Sequence, residues 1–321
     1  MFVDLAEEDL RAYRSSQTDP ADFDSFWRTT LDESRGFDLD PEIVLVDTGL
    51  TTIDVHDVTF SGYRGDRVRA WLRVPHGATG PLPTVVQYQG YGGGRGRAIS
   101  DLLWASAGYA HLLVDTRGQG SVWGGGDTPD PAGSGPQGPG FMTRGIDDRD
   151  TYYYRRVFTD AVRAVDLARS LDVVDGGRIA VLGGSQGGGI SLAVAGLVEG
   201  LAGVFPRVPF LCDFPRATVI TDSDPYKEIG RYLAVHRGKA DRVHETLAYF
   251  DGVNFARRAT APAWFTTALM DSVCPPSTVF GAFNAYAGEK SIRVWPYNGH
   301  EGGGEFSDED DLARLAELFA R

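Results

Sequence analysis

The first part of the chain alternates between an amphipathic helical pattern and short strand-like stretches. Residues 19–34 predict a helix with Asp19 as its N-cap and Pro20 at its first position. The apolar face of that helix carries Phe23, Phe26, Trp27 and Leu31. From about residue 42 to 75, three short stretches are β-branched or alternate between apolar and polar residues, and turns separate them. We therefore expect an N-terminal helical extension over residues 1–40, followed by antiparallel strands.

After Pro83 the pattern changes to short apolar runs that alternate with helical segments. Runs of this kind are typical of buried parallel strands, and their alternation with helices is typical of βαβ units. The runs are TVVQYQ at 84–89, AHLLVD at 110–115, RIAVLG at 178–183, AWFTTALM at 263–270 and IRVWPY at 292–297. The fold class predicted by this pattern is α/β, with a mostly parallel twisted sheet and helices on both faces.

Three further segments complete the predicted layout. Residues 116–145 are rich in Gly and Pro, and a long ordered loop of this kind usually shapes a site or a contact. Residues 151–171 predict an amphipathic helix, and a more polar helical region at 225–250 lies within an inserted segment at 207–258. One side of the first of these helices carries Phe158, Val162, Val165 and Leu171. Without repeats or a low-complexity linker, residues 1–321 are expected to form a single domain.

Charge and composition narrow the expected partners. The 321 residues include 31 Lys and Arg against 44 Asp and Glu, which gives a formal net charge of -13. Such a charge repels nucleic acid phosphates and anionic lipids, so neither nucleic acid nor a membrane is expected as a partner. The acidic start of the chain does not resemble a signal peptide, and no run approaches the roughly 18 apolar residues of a membrane span. We therefore expect a cytoplasmic protein.

The two cysteines, Cys212 and Cys274, lie far apart in the sequence and belong to no CxxC pattern. No HExxH pattern occurs either. We expect both thiols to be small buried side chains rather than a disulfide or a metal site, and we expect no metal.

The clearest chemical signal is the sequence Gly-Gly-Ser-Gln-Gly at 183–187, which fits the G-x-S-x-G nucleophile elbow. A predicted strand precedes the motif and a helix of small residues follows it, which is the context that this motif requires. The glycines let the chain pass through a strained turn, and the helix N-terminus directs N–H groups toward developing negative charge. We interpret Ser185 as a nucleophile. The alternative is a glycine-rich phosphate cradle, but neither a Walker lysine nor a dinucleotide fingerprint accompanies it.

A serine nucleophile needs a base and an orienting carboxylate, which follow it in the order acid and then histidine in this type of fold. Three of the six histidines follow Ser185. His236 and His244 lie in the polar helical region, where a solvated or capping role is expected. His300 follows a predicted strand in a short loop and is therefore the expected base.

Asp271 is the expected orienting acid, because it stands at the end of the predicted strand that precedes the histidine strand. Glu301 is expected to support the histidine indirectly. The alternative acids lie in polar or helical stretches without a strand to hold them, and they are Asp222, Asp224, Asp241 and Asp251.

An oxyanion formed on the substrate needs two N–H donors. The residue after the nucleophile, Gln186, would supply one of them. The glycine-rich loop at 90–94 would supply the other from Tyr91, whose ring would also line the acyl pocket. Alternatively, Tyr91 is only a packing aromatic.

Together these motifs resemble the acetyl xylan esterase and cephalosporin-C deacetylase family, carbohydrate esterase family seven of the α/β-hydrolases. The resemblance extends over nearly the whole chain, and its signatures are Arg117-Gly118-Gln119, the elbow at 183–187 and His300-Glu301. The stretches that carry it include DFDSFW, QYQGYGGGRG, DTRGQG, GFMTRG, TYYYRRVFTDAVRA, GGSQGGG, FDGVNFARRA, MDSVCPPST and YNGHEGGG. It implies a triad of Ser185, Asp271 and His300, and oxyanion donors on Tyr91 and Gln186.

The resemblance also implies deacetylation of acetylated xylo-oligosaccharides and cephalosporin C, no cofactor, and a ring-shaped homohexamer whose sites face an interior cavity. Arg117 and Gln119 would belong to a structural motif that ties the loops together. A peptidase or a broad carboxylesterase on the same fold is the alternative enzyme, since a fold does not define a substrate. A lipase would need an apolar lid, whereas the 225–250 region is highly charged. A non-catalytic binding protein would usually have lost a member of the triad.

Overall fold

The computed structural model describes residues 2–133, 135 and 137–320. Within these residues nine strands form one sheet. In chain order the strands are β1 Glu42–Val46, β2 Ile53–Ser61, β3 Arg67–Pro75, β4 Leu82–Tyr88, β5 Ala110–Val114, β6 Val174–Gly184, β7 Gly203–Arg207, β8 Ala263–Ala268 and β9 Lys290–Trp295. The helices are α1 Glu7–Ala12, α2 Phe23–Arg35, α3 Leu103–Ser106, α4 Tyr153–Ser170, α5 Gln186–Leu197, α6 Phe214–Ile220, α7 Tyr226–Val235, α8 Ala240–Ala248, α9 Gly252–Ala256, α10 Pro276–Ala285 and α11 Glu305–Phe319.

The strands lie in the order β1-β2-β3-β5-β4-β6-β7-β8-β9. Neighbours from β1 to β5 pair antiparallel, and all later neighbours in this order pair in parallel. The predicted antiparallel opening and the mostly parallel remainder are both confirmed. The carboxyl ends of β6, β7, β8 and β9 therefore meet at one edge of the sheet, where α/β proteins of this kind bind ligands.

Helices cover both faces of the sheet, as the strand pattern predicts. Successive residues of β6 show this, because Val181 belongs to the large core that contains residues of α4 and α5. Its neighbours Ala180 and Leu182 belong to a second core with Trp104 of α3 and Leu315 of α11. Side chains of a strand alternate between its faces, so a strand that is apolar at every position must be buried on both.

The N-terminal extension docks through the predicted apolar face of α2, which is buried throughout. Trp27 is 1% exposed, and its indole N–H donates to the carbonyl of Tyr249 at 2.9 Å. The predicted start of this helix is wrong, because α2 begins at Phe23 with Asp22 as its N-cap. Asp19 instead forms an ion pair with Arg258 at 2.7 Å, which leaves it unavailable as a cap. The tertiary ion pair has overridden a local capping preference.

Other predicted boundaries move by a few residues. α4 spans Tyr153–Ser170, and Leu171 is its half-buried C-cap rather than part of the buried side. The inserted segment is helical as expected, with α6 to α9 lying between β7 and β8. Strand β7 is absent from the predicted set, because the run GVFPR is short, begins with Gly and contains Pro206, features that argue against a strand.

Two smaller expectations concern the cysteines and membrane spans. Cys212 and Cys274 are both free and buried, as predicted. Among the described residues, no helix combines the length and the apolar character that crossing a membrane requires.

Candidate active site

Ser185 occupies a sharp turn between β6 and α5. Its backbone adopts φ 54° and ψ -119°, a conformation that costs free energy for a residue other than glycine. Two backbone hydrogen bonds hold the turn in place. The Ser185 N–H donates to the carbonyl of Arg207 at 2.9 Å, and the Ser185 carbonyl accepts from the N–H of Phe210 at 2.9 Å. Strand β7 and the segment after it therefore fix the strained elbow.

The glycines on either side of Ser185 are required by close approach of the backbone. A side chain on Gly183 would collide with the backbone of Gly187, and a side chain on Gly187 would collide with the carbonyl of Tyr88 at the end of β4. The G-x-S-x-G pattern thus reflects the packing of the elbow onto the neighbouring strand.

The three residues of the expected triad lie together at the carboxyl edge of the sheet. Ser185 follows β6, Asp271 follows β8 and His300 follows β9. The His300 Nε2 atom lies 3.0 Å from the Ser185 Oγ, and its Nδ1 atom lies 2.9 Å from the Asp271 Oδ2. In this arrangement His300 can accept the proton of Ser185, and Asp271 can stabilise the resulting imidazolium.

The Asp271 carboxylate is held rigidly. The residue is fully buried, and its Oδ1 accepts the backbone N–H groups of Val273 at 2.8 Å and Cys274 at 2.9 Å. Its other oxygen is thereby directed at His300. The carboxylate therefore accepts hydrogen bonds from the loop that follows it and also orients the imidazole of His300, as the acid of a triad must.

The loop that carries His300 is held by Glu301. The carboxylate of Glu301 accepts from the side-chain amide of Asn298 at 3.0 Å and from the N–H of Gly299 at 3.1 Å. The hydrogen bond from Asn298 is the main cause that lowers the pKa of Glu301. Glu301 therefore contacts the turn before His300, as an indirect supporting residue would.

The other candidate histidines and acids do not contact the His300 imidazole, although Asp224 lines the same cavity. His236 is exposed, and its ring centroid lies 4.3 Å from that of Tyr232, while His244 is half-buried on α8. Asp222 forms an ion pair with Lys227, and Asp224 forms one with Arg231. Asp241 is exposed on α8. Asp251 caps α9 by accepting the N–H of Val253 at 2.9 Å. The structure brings none of these groups to the His300 imidazole.

Two backbone N–H groups beside Ser185 are free to bind an oxyanion. They belong to Tyr91 and Gln186, and no acceptor among the described residues engages either of them. The Tyr91 ring packs edge-on against Phe141, and its hydroxyl donates to Glu228 at 2.7 Å. The ring is thus both a packing aromatic and part of the cavity wall.

A buried amide network links these two donors. The Gln119 Oε1 accepts the N–H of Gly92 at 2.7 Å, and its Nε2 donates to the Gln186 Oε1 at 2.8 Å. Gln186 in turn donates to the carbonyl of Gln89 at 3.1 Å. Gln119 therefore joins the loop after β4 to the elbow, and it sets the position of one N–H donor relative to the other.

A second buried network, which we call the Arg117 cluster, consists of Arg117, Asp66, Asp130 and Asp160. The guanidinium donates to both oxygens of Asp160, at 2.6 and 2.8 Å, and to Asp66 at 2.8 Å. The Asp160 carboxylate also accepts the N–H of Tyr63 at 2.8 Å. These carboxylates raise the pKa of Arg117 although burial acts against the charge. The cluster fastens the long loop to α4.

The triad opens into a cavity of about 640 Å³. The sequence patterns did not single out three residues of this cavity. Trp123 and Arg207 line it, and Glu228 supports it by accepting the hydrogen bond from Tyr91. Only Trp123 carried a sequence signal, as an aromatic residue within a glycine-rich stretch. A larger cavity of about 830 Å³ lies between residues 16–21 and α8, but it contains none of the triad residues.

The side chains of Asp271, Cys274 and His300 have ligand atoms within 4.8 Å of one another, a spacing that metal ligands can show. Both imidazole nitrogens are nevertheless engaged, one by Asp271 and the other by Ser185. Burial also raises the pKa of the Cys274 thiol, which disfavours the thiolate that a metal needs. The donor set therefore suits proton transfer better than metal binding.

A family model described as acetyl xylan esterase (AXE1) matches residues 1–317. The acetyl xylan esterase structure from Paenibacillus sp. R4 is 40% identical, with a TM-score of 0.91 over 98% of this chain and 99% of that chain. Acetyl xylan esterase 1 from Thermoanaerobacterium sp. JW/SL YS485 is 33% identical, with a TM-score of 0.90 and the same coverage.

A curated relative of greater length is acetyl esterase Axe7A of Xylanibacter ruminicola. It is 31% identical over 302 residues, which is 93% of this chain. The chain spans 66% of the length of that relative.

Proposed function

This chain belongs to the acetyl xylan esterase family of carboxylic ester hydrolases, and we propose that it removes acetyl groups from acetylated xylo-oligosaccharides with Ser185, His300 and Asp271 as its triad. The observation that carries this proposal is the unbroken line of contacts from Asp271 through His300 to Ser185 at the cavity. Ser185 sits at the start of α5, where backbone N–H groups favour negative charge.

The first step transfers the acetyl group to the enzyme. The Ser185 Oγ bonds to the acetyl carbonyl carbon while its proton moves to the His300 Nε2. The carbonyl oxygen becomes an oxyanion, which accepts hydrogen bonds from the N–H groups of Tyr91 and Gln186. The bond from carbon to the sugar oxygen then breaks, and His300 returns the proton to that oxygen. A sugar hydroxyl leaves and an acetyl-serine remains.

The second step repeats this chemistry with water. A water molecule attacks the acetyl carbon and gives its proton to His300, and the same two N–H groups bind the new oxyanion. When the carbon–Oγ bond breaks, the proton returns to Ser185 and acetic acid leaves, which then ionises to acetate. Asp271 stabilises the imidazolium in both steps without taking the proton itself.

The walls of the cavity favour a small acyl group over a long one. Tyr91, Pro225 and Val273 line the cavity beside Ser185, and the Tyr91 ring is fixed by its hydrogen bond to the buried Glu228. Gly140 and Phe141 also donate their N–H groups to the Tyr91 hydroxyl, at 3.2 and 2.9 Å. A ring held from three sides cannot move aside easily for a long acyl chain.

The test is hydrolysis of 4-nitrophenyl esters that differ only in acyl length, from acetate to octanoate. We expect kcat/KM to be highest for acetate, and Ser185→Ala to lose at least about 10⁴-fold in kcat because the nucleophile is gone. Ser106→Ala, at an exposed serine on α3, is the matched control. A preference for octanoate, or full activity of Ser185→Ala, would contradict the proposal. Faster cleavage of an alanyl or prolyl anilide than of the acetate would favour a peptidase instead.

Cephalosporin C is a second proposed substrate, because its acetyl ester presents the same small acyl group to Ser185. The carboxyl groups of Asp101, Asp224 and Glu301 line the same cavity and are expected to repel its negative charge. We therefore expect a higher KM for cephalosporin C than for an acetylated xyloside. The cytoplasmic location expected from the sequence and the homohexamer implied by the resemblance both stay predictions. Light scattering tests the homohexamer.

A further inference from the structure

Two glycine-rich segments lie directly on one another beside the nucleophile elbow. They are residues 90–96, which follow β4, and residues 118–126 of the long loop. The N–H of Gly94 donates to the carbonyl of Gly124 at 3.0 Å. A side chain on Gly94 would collide with the backbone of Gly126, so the close contact requires glycine. The long loop is thereby held against the wall of the active site.

This contact sets Trp123 on the rim of the catalytic cavity. Its indole N–H donates to the carbonyl of Tyr91 at 2.9 Å, and its ring rests on Gly93, where any side chain would collide with it. A Cβ atom on Gly90 would lie 3.3 Å from Cζ2 of Trp123 and 4.0 Å from the Cβ of Ser185. The Cζ2 atom of Trp123 and the Cβ of Ser185 therefore lie no more than about 7.3 Å apart.

Despite this fixed position, Trp123 is 60% exposed. Tryptophan is usually well buried in folded proteins, because its large apolar ring contributes to stability there. Its neighbour Val122 is 56% exposed, which extends the apolar surface. The hydrogen bond to Tyr91 and the contact with Gly93 restrict the ring before any ligand arrives, so binding on its free side would cost little side-chain entropy.

The chemistry around Trp123 suits a sugar ring. The face of an aromatic ring carries partial negative charge, and the flat side of a xylopyranose presents C–H groups of the opposite polarity. Elsewhere in the cavity, the carboxyl groups of Asp101, Asp224 and Glu301 can accept hydrogen bonds from sugar hydroxyls. An apolar platform on one side with acceptors on the others matches a neutral carbohydrate better than a simple alkyl alcohol.

We propose that Trp123 is the stacking platform for the sugar ring that bears the scissile acetyl ester, and that it determines specificity for carbohydrate esters over alkyl esters. This inference rests on the proposed deacetylation at Ser185. Trp123 binds the leaving group in this scheme and takes no part in proton transfer.

The experiment compares two acetyl esters, an acetylated methyl β-xyloside and ethyl acetate, with the full chain and two variants. Trp123→Leu removes both the ring and its N–H donor, whereas Trp123→Phe keeps a ring and removes only the donor. We expect Trp123→Leu to lower the ratio of kcat/KM for the xyloside to that for ethyl acetate roughly threefold to tenfold, the usual effect of one aromatic contact. Trp123→Phe should retain most of this ratio. Phe37→Leu, at a remote exposed aromatic, is the matched control.

A second measurement uses only the unaltered protein and does not depend on any variant. Methyl β-xyloside should inhibit ethyl acetate hydrolysis competitively in the unaltered protein, whereas xylitol, which has hydroxyls but no ring, should inhibit far less. This measurement remains decisive if Trp123→Leu does not fold. Equal inhibition by the two compounds would contradict a stacking platform.

The outcomes separate this inference from the proposed function. If Trp123→Leu and Trp123→Phe lose activity equally on both esters, Trp123 acts through its hydrogen bond to Tyr91, and the platform is excluded while the esterase stands. An unchanged ratio in Trp123→Leu also excludes the platform. If Ser185→Ala still cleaves both esters, the proposed function itself fails, and the platform fails with it.

Discussion

The catalytic edge of the sheet and the Arg117 cluster both pair a buried carboxylate with a basic side chain, but the bases differ. Asp271 holds an imidazole whose side chain is 32% exposed, whereas Asp160 holds a guanidinium with 0% exposure. An imidazole can gain and lose a proton near neutral pH, and a guanidinium cannot. The first arrangement can therefore pass a proton to a substrate, while the second can only hold segments of the chain together.

This difference predicts that substitutions in the two regions have separable effects. Changes at the catalytic edge should alter rates with little loss of stability. Changes in the Arg117 cluster should lower the free energy of unfolding, because they take a carboxylate partner away from a buried guanidinium.

After the loss of the nucleophile itself, the largest effect is expected for Asp271→Asn. The amide keeps the shape of the side chain but favours the wrong tautomer of His300, so kcat on 4-nitrophenyl acetate should fall by about 10² to 10⁴. The melting temperature should change little, and circular dichroism during heating measures it. Asp241→Asn, at an exposed position on α8, is the control and should keep normal kcat. A large loss of stability with normal kcat would reverse the comparison.

Asp160→Asn tests the other region. The substitution removes the carboxylate charge that pairs with the buried Arg117. We expect a loss of about 3 kcal/mol or more in the free energy of unfolding, measured in urea. Asp166→Asn is the matched control on the same helix. Asp166 pairs with Arg35, whose side chain is 42% exposed, and with Arg163 at 3.4 Å, so we expect its loss to cost less stability than the loss of Asp160. Equal stability of the two variants would show that burial does not distinguish these ion pairs.

Gln119→Ala should affect catalysis from outside the triad, because Gln119 lies between the two regions. Its Nε2 donates to Gln186 on the elbow at 2.8 Å and to the Tyr153 hydroxyl at 3.1 Å, and that hydroxyl donates to the carbonyl of Arg117. Loss of the link should displace one oxyanion donor and lower kcat roughly tenfold, with a smaller change in KM. A change confined to KM would indicate that Gln119 shapes substrate binding rather than the transition state.

The smallest effect concerns Asp251, a buried carboxylate with no cation as a direct partner in the part of the chain that the structure describes. Burial and the nearby Asp213 raise its pKa to about 7, above its value in the unfolded chain. The folded protein therefore binds this proton more tightly, and the resulting stability is present at low pH and is lost as the pH rises through about 7.

The melting temperature should accordingly fall between pH 5 and pH 8, and the fall should be smaller in Asp251→Asn. Thermal unfolding of both proteins at several pH values measures this difference. Parallel pH profiles would mean that another group causes the dependence.

Much of the fold could be predicted because burial leaves a periodic record in the sequence. Apolar runs such as RIAVLG marked the strands that helices cover on both faces, and the face of α2 was recognisable from its spacing. Where tertiary contacts compete with local preference, prediction failed. Asp19 pairs with Arg258 instead of capping α2, and β7 contains Pro206 yet lies inside the sheet.

The candidate nucleophile, base and acid could all be identified from the order of residues along the chain. Their positions at strand ends follow from chain order, and parallel strands deliver such residues to a single edge. The groups that complete the site could not be predicted in this way. Gln119 reaches Gln186, Glu228 reaches Tyr91, and Trp123 lies on Gly93. These contacts join loops that are distant in the chain and have no periodicity, so their partners become visible only once the backbone has folded.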